Sequence, residues 1–587
     1  MLNMSHTQET ETMNADLIMK NGRIRTMENT SPWAEAVAVK DKRIVYVGDN
    51  QGAAAWVGPE TRTIDLEGRL VLPAFVDGHM HPSQGSYRYC FCLTLFDVYG
   101  PDLIQAYLEE TANFARKHPE LDWIIGAGFR RAAFDEIGPR KEWLDQVAAD
   151  RPVAITSKDG HSMWVNSKAL AVAGITAATP DPLNGVIKRD PQTGEPSGLL
   201  QESAMALIRR LMPHPTKEQM KQSLLWLQEW LNREGITTVH EAELDVEADQ
   251  VYQAYQELAE EGRLTVRYRA SWRLHPDQDF RGLVDRALGL SEQFRTPYFA
   301  AKSFKFFADE VIEEETGFLL QPYAHRSDDW YGLKDWEDEE LAAAFTRIYQ
   351  GGGQVHIHAI GDGAARYTLE ALDKVRSGNH GVRSDWRPAL AHVQMVAPQD
   401  IRRMADLGVT ALVAPYWSSI DDYFWDLYVP FLGEDRAFNH QYPMKSFFEA
   451  GVNVAIHSDF SVSEPDFMWA FYGGLTRRLP QRVFNRQFGT KAGYRWVADD
   501  GARLEKGDIG ALPPAGERLS LEEALRAATI NGAYANGLDQ EVGSLKVGKL
   551  ADLIVLDRNL FEIDVEQIPL TKVAMTLFEG RVVHGRI

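Results

Sequence analysis

The sequence predicts an α/β protein built on a (β/α)8 TIM-like barrel, with a small β-sandwich formed from both chain ends. Three observations carry that expectation. Both ends read as short alternating runs joined by hairpin turns. The long middle alternates apolar runs with amphipathic helices. Histidine, lysine and aspartate recur in or at the ends of those apolar runs. Strand–helix alternation calls for a parallel sheet, and the length of the alternating region favours a closed barrel over an open doubly wound sheet. No Gly-x-Gly-x-x-Gly follows a strand, so a dinucleotide-binding fold has no support.

Taken in order, residues 1–14 are polar and acidic, without a basic or apolar segment, and read as a disordered leader rather than a secretory signal. No run approaches the ~18 continuous apolar residues of a spanning helix, so the cytoplasm is the expected compartment. Residues 15–70 hold Asp16-Leu-Ile-Met-Lys, Ala36-Val-Ala-Val-Lys and Arg43-Ile-Val-Tyr-Val, with turns at Asn21-Gly22 and Lys40-Asp41-Lys42. That is hairpin chemistry and forms the first part of the sandwich. Residues 541–587 read the same way and form the second. Between them, residues 71–540 make the barrel. Its candidate strands follow the Arg69–Gly78 run at Val153–Thr156, Ile236–His240, Ala301–Phe307, Gln354–His358, Ala389–Val393, Thr410–Ala414 and Val452–His457. Helices are expected over Lys217–Glu234, Glu339–Gly351 and Leu521–Thr529. The stretch 99–235 is too long for one strand–helix connection and is expected to roof the barrel mouth. Tyr494–Ser520, rich in Asp, Gly and Pro, reads as an extended loop.

The chain has 587 residues, 44% of them hydrophobic, and a net charge of −22. So acidic a surface argues against nucleic acid or an anionic membrane as partner and says little about a small-molecule substrate, the partner expected, because it reports the surface and not the pocket. Two cysteines, Cys90 and Cys92, exclude a disulfide framework. They are expected in extended chain as packing residues, with soft metal ligation the weaker alternative.

The chemistry concentrates in His79-Met80-His81. Side chains alternate along a strand, so both imidazoles face one side and form half a metal site. Lys305, His358, His392 and Asp459 follow, each in or at the end of its own apolar run, where a barrel collects catalytic groups. Singly, each reads as an ordinary core or surface residue, and Lys302 competes with Lys305. Together they point to a metal site. No Gly-x-Ser-x-Gly elbow offers a serine alternative. His161 and His240 are further catalytic candidates. His356 shares the parity of His358. Tyr416-Trp417 and the aromatic run Tyr423–Phe431 read either as an apolar pocket wall or as core or interface.

Asp77-Gly-His-Met-His, Ala389-Leu-Ala-His and Ile456-His-Ser-Asp resemble strand-end motifs of the amidohydrolase superfamily. Asp159-Gly-His-Ser-Met-Trp-Val-Asn-Ser-Lys-Ala-Leu, Gly235-Ile-Thr-Thr-Val-His, Lys305-Phe-Phe-Ala-Asp and His358-Ala-Ile-Gly-Asp resemble the YtcJ-like amidohydrolase-3 group, which includes N-substituted formamide deformylases. The resemblance covers nearly the whole chain. It implies that His79, His81 and Asp459 hold one ion and His358 and His392 a second, with a carboxylated Lys305 bridging them. Zinc is the implied metal, with Mn, Fe or Co fitting similar ligands. The implied reaction is hydrolysis of a linear C–N amide bond by metal-activated hydroxide, with Asp459 moving the proton. Cyclic amides, imines or esters on the same centre, and a non-catalytic binding module, are the alternatives. Trp164, Asp309 and Trp417 are the expected substrate contacts, and a homodimer is implied by the family. Two positions depart from the group's pattern: Pro73-Ala74 stands for Pro-Gly, and Asp309-Glu310 for Asp-Gly.

Overall fold

The computed structural model describes residues 14–586 except 136, 277, 379–384, 490–492 and 499–503. The expected leader lies, but for Asn14, outside the described residues. Eight parallel strands form the barrel: β1 (Phe75–Met80), β2 (Ile236–Leu244), β3 (Arg267–Arg273), β4 (Phe299–Phe307), β5 (Gln354–Ala359), β6 (Ala389–His392), β7 (Thr410–Val413) and β8 (Asn453–Ile456). They pair in sequence order from β1 to β8. Just beyond β8 the chain returns to β1: Asp459 N–H donates to His79 O and His81 N–H to Phe460 O. The same two contacts bring the first and last candidate ligands together.

Strand β3 was not among the expected strands. Its sequence, Arg267-Tyr-Arg-Ala-Ser-Trp-Arg, alternates charge with aromatic or small residues, so no apolar run marks it. Conversely, Val153–Ser157 is a strand of the roof and not of the barrel. The roof is a six-stranded sheet in the order Gly185–Arg189, Pro196–Glu202, Ser162–Val165, Val153–Ser157, Ile124–Phe129, Leu93–Thr94, backed by the helix Leu103–Lys117.

The Arg69–Gly78 run divides between two sheets. Leu70–Pro73 enters the sandwich, where it lies between Arg23–Arg25 and Leu553–Leu556, and Phe75–Met80 enters the barrel. Ala74 is the hinge between them and is buried, so the departure from Pro-Gly is accommodated. A second sheet, Arg43–Gly48, Ala36–Lys40, Leu17–Lys20 and Arg62–Asp65, packs on the first. Leu17, Val37, Ile64, Val71, Leu553 and Leu577 share that core, so neither chain end has a core without the other. Buried Arg267 on β3 ties the barrel to this sandwich through Asp552 and Glu579.

The expected helices appear as Lys217–Arg233, Asp338–Gln350 and Leu521–Ala527. Thr216 and Ser520 cap the first and last through reciprocal hydrogen bonds with Gln219 and Glu523. Extended chain at Cys90 is overturned: Pro82 opens the helix Pro82–Phe91, leaving Cys90 exposed and Cys92 buried, both as free thiols. In the expected loop after Tyr494, Arg495–Trp496 pairs with Asp508–Ile509. Among the described residues no helix is long and apolar enough to cross a membrane.

Candidate metal centre and active site

The strand ends bring His79, His81 and Asp459 into one cluster. Asp459 Oδ1 lies 3.3 Å from His79 Nε2 and 3.2 Å from His81 Nε2. His392 packs 4.9 Å from His79, ring centre to ring centre, and His358 lies 4.5 Å from His392. Lys305 is wholly buried, its Nζ 4.5 Å from the Phe307 ring that stacks on His358. Lys302, the competing lysine, is exposed. His392 and Asp459 both take the left-handed backbone region, at φ 76° and 53°. L-residues enter that region at a cost, and strand-end ligands are where such strain is commonly held.

The polar atoms here lack partners. His79 Nε2, His81 Nδ1, Lys305 Nζ, His392 Nδ1, both ring nitrogens of His457 and Asp459 Oδ1 are buried without a hydrogen bond. Leaving so many polar groups dry is costly unless something else binds them. The donor set of imidazoles, a carboxylate and an amine fits divalent metal. The supporting groups beneath it are paired. His79 Nδ1 lies 2.6 Å from His356 Nε2, so a proton on His79 Nδ1 leaves Nε2 free for a ligand role. Asp77 accepts from the backbone of His79 and Ser458. His358 Nε2 faces the carbonyl of Glu310 at 3.2 Å, which frees its Nδ1.

Charge follows the same division. Burial pushes His79, His358 and His392 well below the ordinary imidazole range, so they stay neutral and able to ligate. Burial also takes the Lys305 amine down to about 7. For Asp459 burial acts upward, but His81, His392 and His457 outweigh it and hold the carboxylate ionised.

His161 lies at the mouth, on the roof's Ser157–Ser162 turn. Its Nδ1 is 2.8 Å from Glu202 and 3.0 Å from Glu310, and its ring 5.7 Å from that of His358. Burial opposes its charge, but the two carboxylates outweigh it and favour the imidazolium. Glu310, where glycine is usual, therefore makes a specific contact and needs no positive φ. Trp417 stacks on His392 at 5.5 Å and donates Nε1–H to Ser463 Oγ, which sets it on the wall of the centre.

Three expected roles are corrected. His240 does not face the mouth: it lies under His356, stacked at 4.4 Å, with Nδ1 on Asn536 Oδ1 and Nε2 on Ser271 Oγ. Both nitrogens are engaged, and burial lowers its pKa to about 4. It borders a cavity of about 670 Å³ among residues that precede β4 and β5, at the opposite end of the barrel. Trp164 is fully buried in the roof's own core, donating to Arg140 O. Asp309 is fully buried and accepts backbone N–H bonds from Phe318, Ile360 and Gly361, so it ties loops together instead of meeting substrate. In the aromatic run, Phe424, Trp425 and Tyr428 are buried core, while half-buried Tyr423 turns its hydroxyl to Asp159 beside His161.

Sequence reasoning gave no role to His457, which shares the parity of Asp459 and packs 5.1 Å from both His79 and His392. Glu202 carried no local signal at all.

A family model described as "Amidohydrolase family" matches residues 62–584. The chain belongs to the amidohydrolase family. It is 28% identical to the putative amidohydrolase YtcJ of Bacillus subtilis (strain 168), covering 97% of this chain and 99% of that one. It is 25% identical to the N-substituted formamide deformylase of Arthrobacter pascens, over 97% and 98%. Among solved structures, an uncharacterized metal-dependent hydrolase from Pyrococcus horikoshii OT3 matches with a TM-score of 0.68 at 20% identity, covering 97% of this amidohydrolase and the whole of that chain. That last likeness speaks to the fold.

Proposed function

We propose that this amidohydrolase cleaves a linear C–N amide bond, such as that of an N-substituted formamide, at a two-ion centre of zinc type. His79, His81 and Asp459 would hold one ion and His358 and His392 the other, bridged by a carboxylated Lys305. The single observation that supports this most is the set of unpartnered buried ligand atoms carried at or just beyond β1, β4, β6 and β8, with His79, His81 and Asp459 within ligand distance of one another. When bound, the ions supply Lewis-acid activation of water and of the substrate carbonyl. The chain supplies the rest. Asp459, kept ionised, accepts the proton of the attacking water and returns it to the leaving nitrogen. Lys305, brought down to about 7, has a neutral fraction at that pH that can be carboxylated. His356 orients His79, and Trp417 walls the site beside His392. The relative named a deformylase motivates the linear-amide choice.

The test is metal content per chain, with chelation and metal add-back during turnover of N-substituted formamides and acetamides. Two ions with chelator-sensitive amide cleavage is the expected result. One ion would remove the bridging role of Lys305, and metal without amide cleavage would redirect the search to cyclic substrates.

A further inference from the structure

Beside the metal cluster Arg273 stands without a carboxylate to answer it, and Arg209 and Arg88 lie in the same electrostatic neighbourhood. Arg273 ends β3, and its register partner on β4 is Lys305. Its guanidinium lies 3.7 Å over the Phe307 ring, and its Nε and Nη1 are buried with no hydrogen-bond partner. Arg88 stands on the helix Pro82–Phe91 that follows His81, and Arg209 on the short roof helix Ala206–Arg209, where it is exposed. Among the described residues none of the three lies within the 4.0 Å ion-pair distance of a carboxylate. Other buried arginines have their forks filled, Arg130 by Asp422, Arg267 by Asp552 and Glu579, and Arg477 by the backbone carbonyls of Leu512, Tyr442 and Gln441.

The three act on one another and on one acid. Glu243 favours the charge of both Arg209 and Arg88, while Arg273 opposes it at Arg209 and Arg209 opposes it at Arg88. Burial would raise the Glu243 carboxyl, but Arg273, His81 and Lys305 outweigh it and bring it to about 2. Glu243 is thus one negative charge among three positive ones. The carboxylates across the mouth, Glu202 and Glu310, are engaged by His161. Glu202, Glu310 and Asp335 also act on these arginines from a distance, so what distinguishes this corner is not its charge count but a guanidinium fork left without a hydrogen-bond partner.

We propose that Arg273, with Arg209 and Arg88, forms a subsite for a carboxylate carried by the substrate a few bonds from the scissile amide. This inference rests on the amidase reading and narrows its substrate class to anionic amides. A guanidinium's planar fork matches a carboxylate with two parallel hydrogen bonds, and a dry, unpartnered fork gains most from such a ligand. Stacking on Phe307 braces Arg273, while exposed Arg209 closes on the ligand from the roof. The pairing of Arg273 with Lys305 across β3 and β4 sets the carboxylate next to the metal centre.

The test is calorimetric binding of N-formylphenylalanine and of its neutral twin, N-formylphenylalaninamide, to the protein as purified, with turnover of both followed in parallel. The acid is expected to bind about tenfold or more tighter than the amide. Arg209→Gln and Arg273→Met should each bring the two ligands to near parity without weakening the amide. Should Arg273→Met fail to fold, Arg273→Lys keeps the charge, loses the fork, and should cut the preference severalfold. The proposal is overturned if wild type shows no preference, if neither ligand binds, or if the preference survives substitution at either position. A preference that holds while neither compound is hydrolysed would leave the subsite standing and remove the amidase reading instead.

Discussion

The two ends of the barrel interior are built from the same residue types and treat them oppositely. At the mouth, histidine, lysine and aspartate atoms are buried and left without partners. One layer below, His240 has both nitrogens satisfied, by Asn536 and Ser271, and stacks on His356. Burial and residue type are therefore poor guides to function. What separates the two groups of histidines is whether the folded chain completes their hydrogen bonding, which it does for His240 and does not for the ligand atoms at the mouth.

The sharpest way to break this contrast is to remove a ligand from the mouth. Asp459→Asn should lower kcat about 10³-fold or more and strip metal from the purified protein, because the variant loses both a donor and a proton carrier. Full activity in that variant would end the assigned mechanism. Next, Lys305→Met should cost on the order of 100-fold and reduce metal content from two ions to one, whereas Lys302→Met, three residues earlier but exposed, should leave both unchanged.

The third prediction concerns pH. Burial holds His79, His356, His358 and His392 well below the free imidazole value of 6.5, and His240 and His457 at about 4. Below pH 6.5 these imidazoles therefore bind more protons in the unfolded chain than in the folded one. Their contribution to stability is complete above that pH and is lost as pH falls through the window toward 4. Histidine ring NMR on chelated protein should show His240 and His457 still neutral at pH 5.5, and protonation there would contradict neutral burial. The smallest effect is expected at the lower end. His240→Ala strands Asn536 and Ser271 and should cost about 2 kcal/mol of stability, with turnover retained within about threefold. A large loss of activity with unchanged stability would return His240 to the catalytic machinery.

Much of this was legible in the sequence, for a physical reason. Period-2 alternation fixes which residues of a strand share a face, so His79 and His81 could be paired before any coordinates, and barrel geometry placed Lys305, His358, His392 and Asp459 at the same end. The failures have their own causes. Trp164 and Asp309 sit beside active-site motifs in sequence, but chain proximity does not fix direction: one turns into the roof's core and the other onto loop amides. Strand β3 was hidden because three arginines break its apolar pattern, and with it went Arg273. The contacts of His161 with Glu202 and Glu310 join segments far apart in the chain, which no local pattern reports.

The strand Leu70–Pro73 has one neighbour from the first residues of the chain and the other from the last. On the ribosome, that sheet stands with an open edge while the entire barrel is synthesised and pairs only when Leu553–Leu556 emerges. An unpaired apolar edge is a template for the wrong partner. The demand on chaperones thus falls late in synthesis, at the sandwich and not at the catalytic end, and a nonsense codon near residue 550 would release a chain whose ligands are all present and whose first sheet can never close.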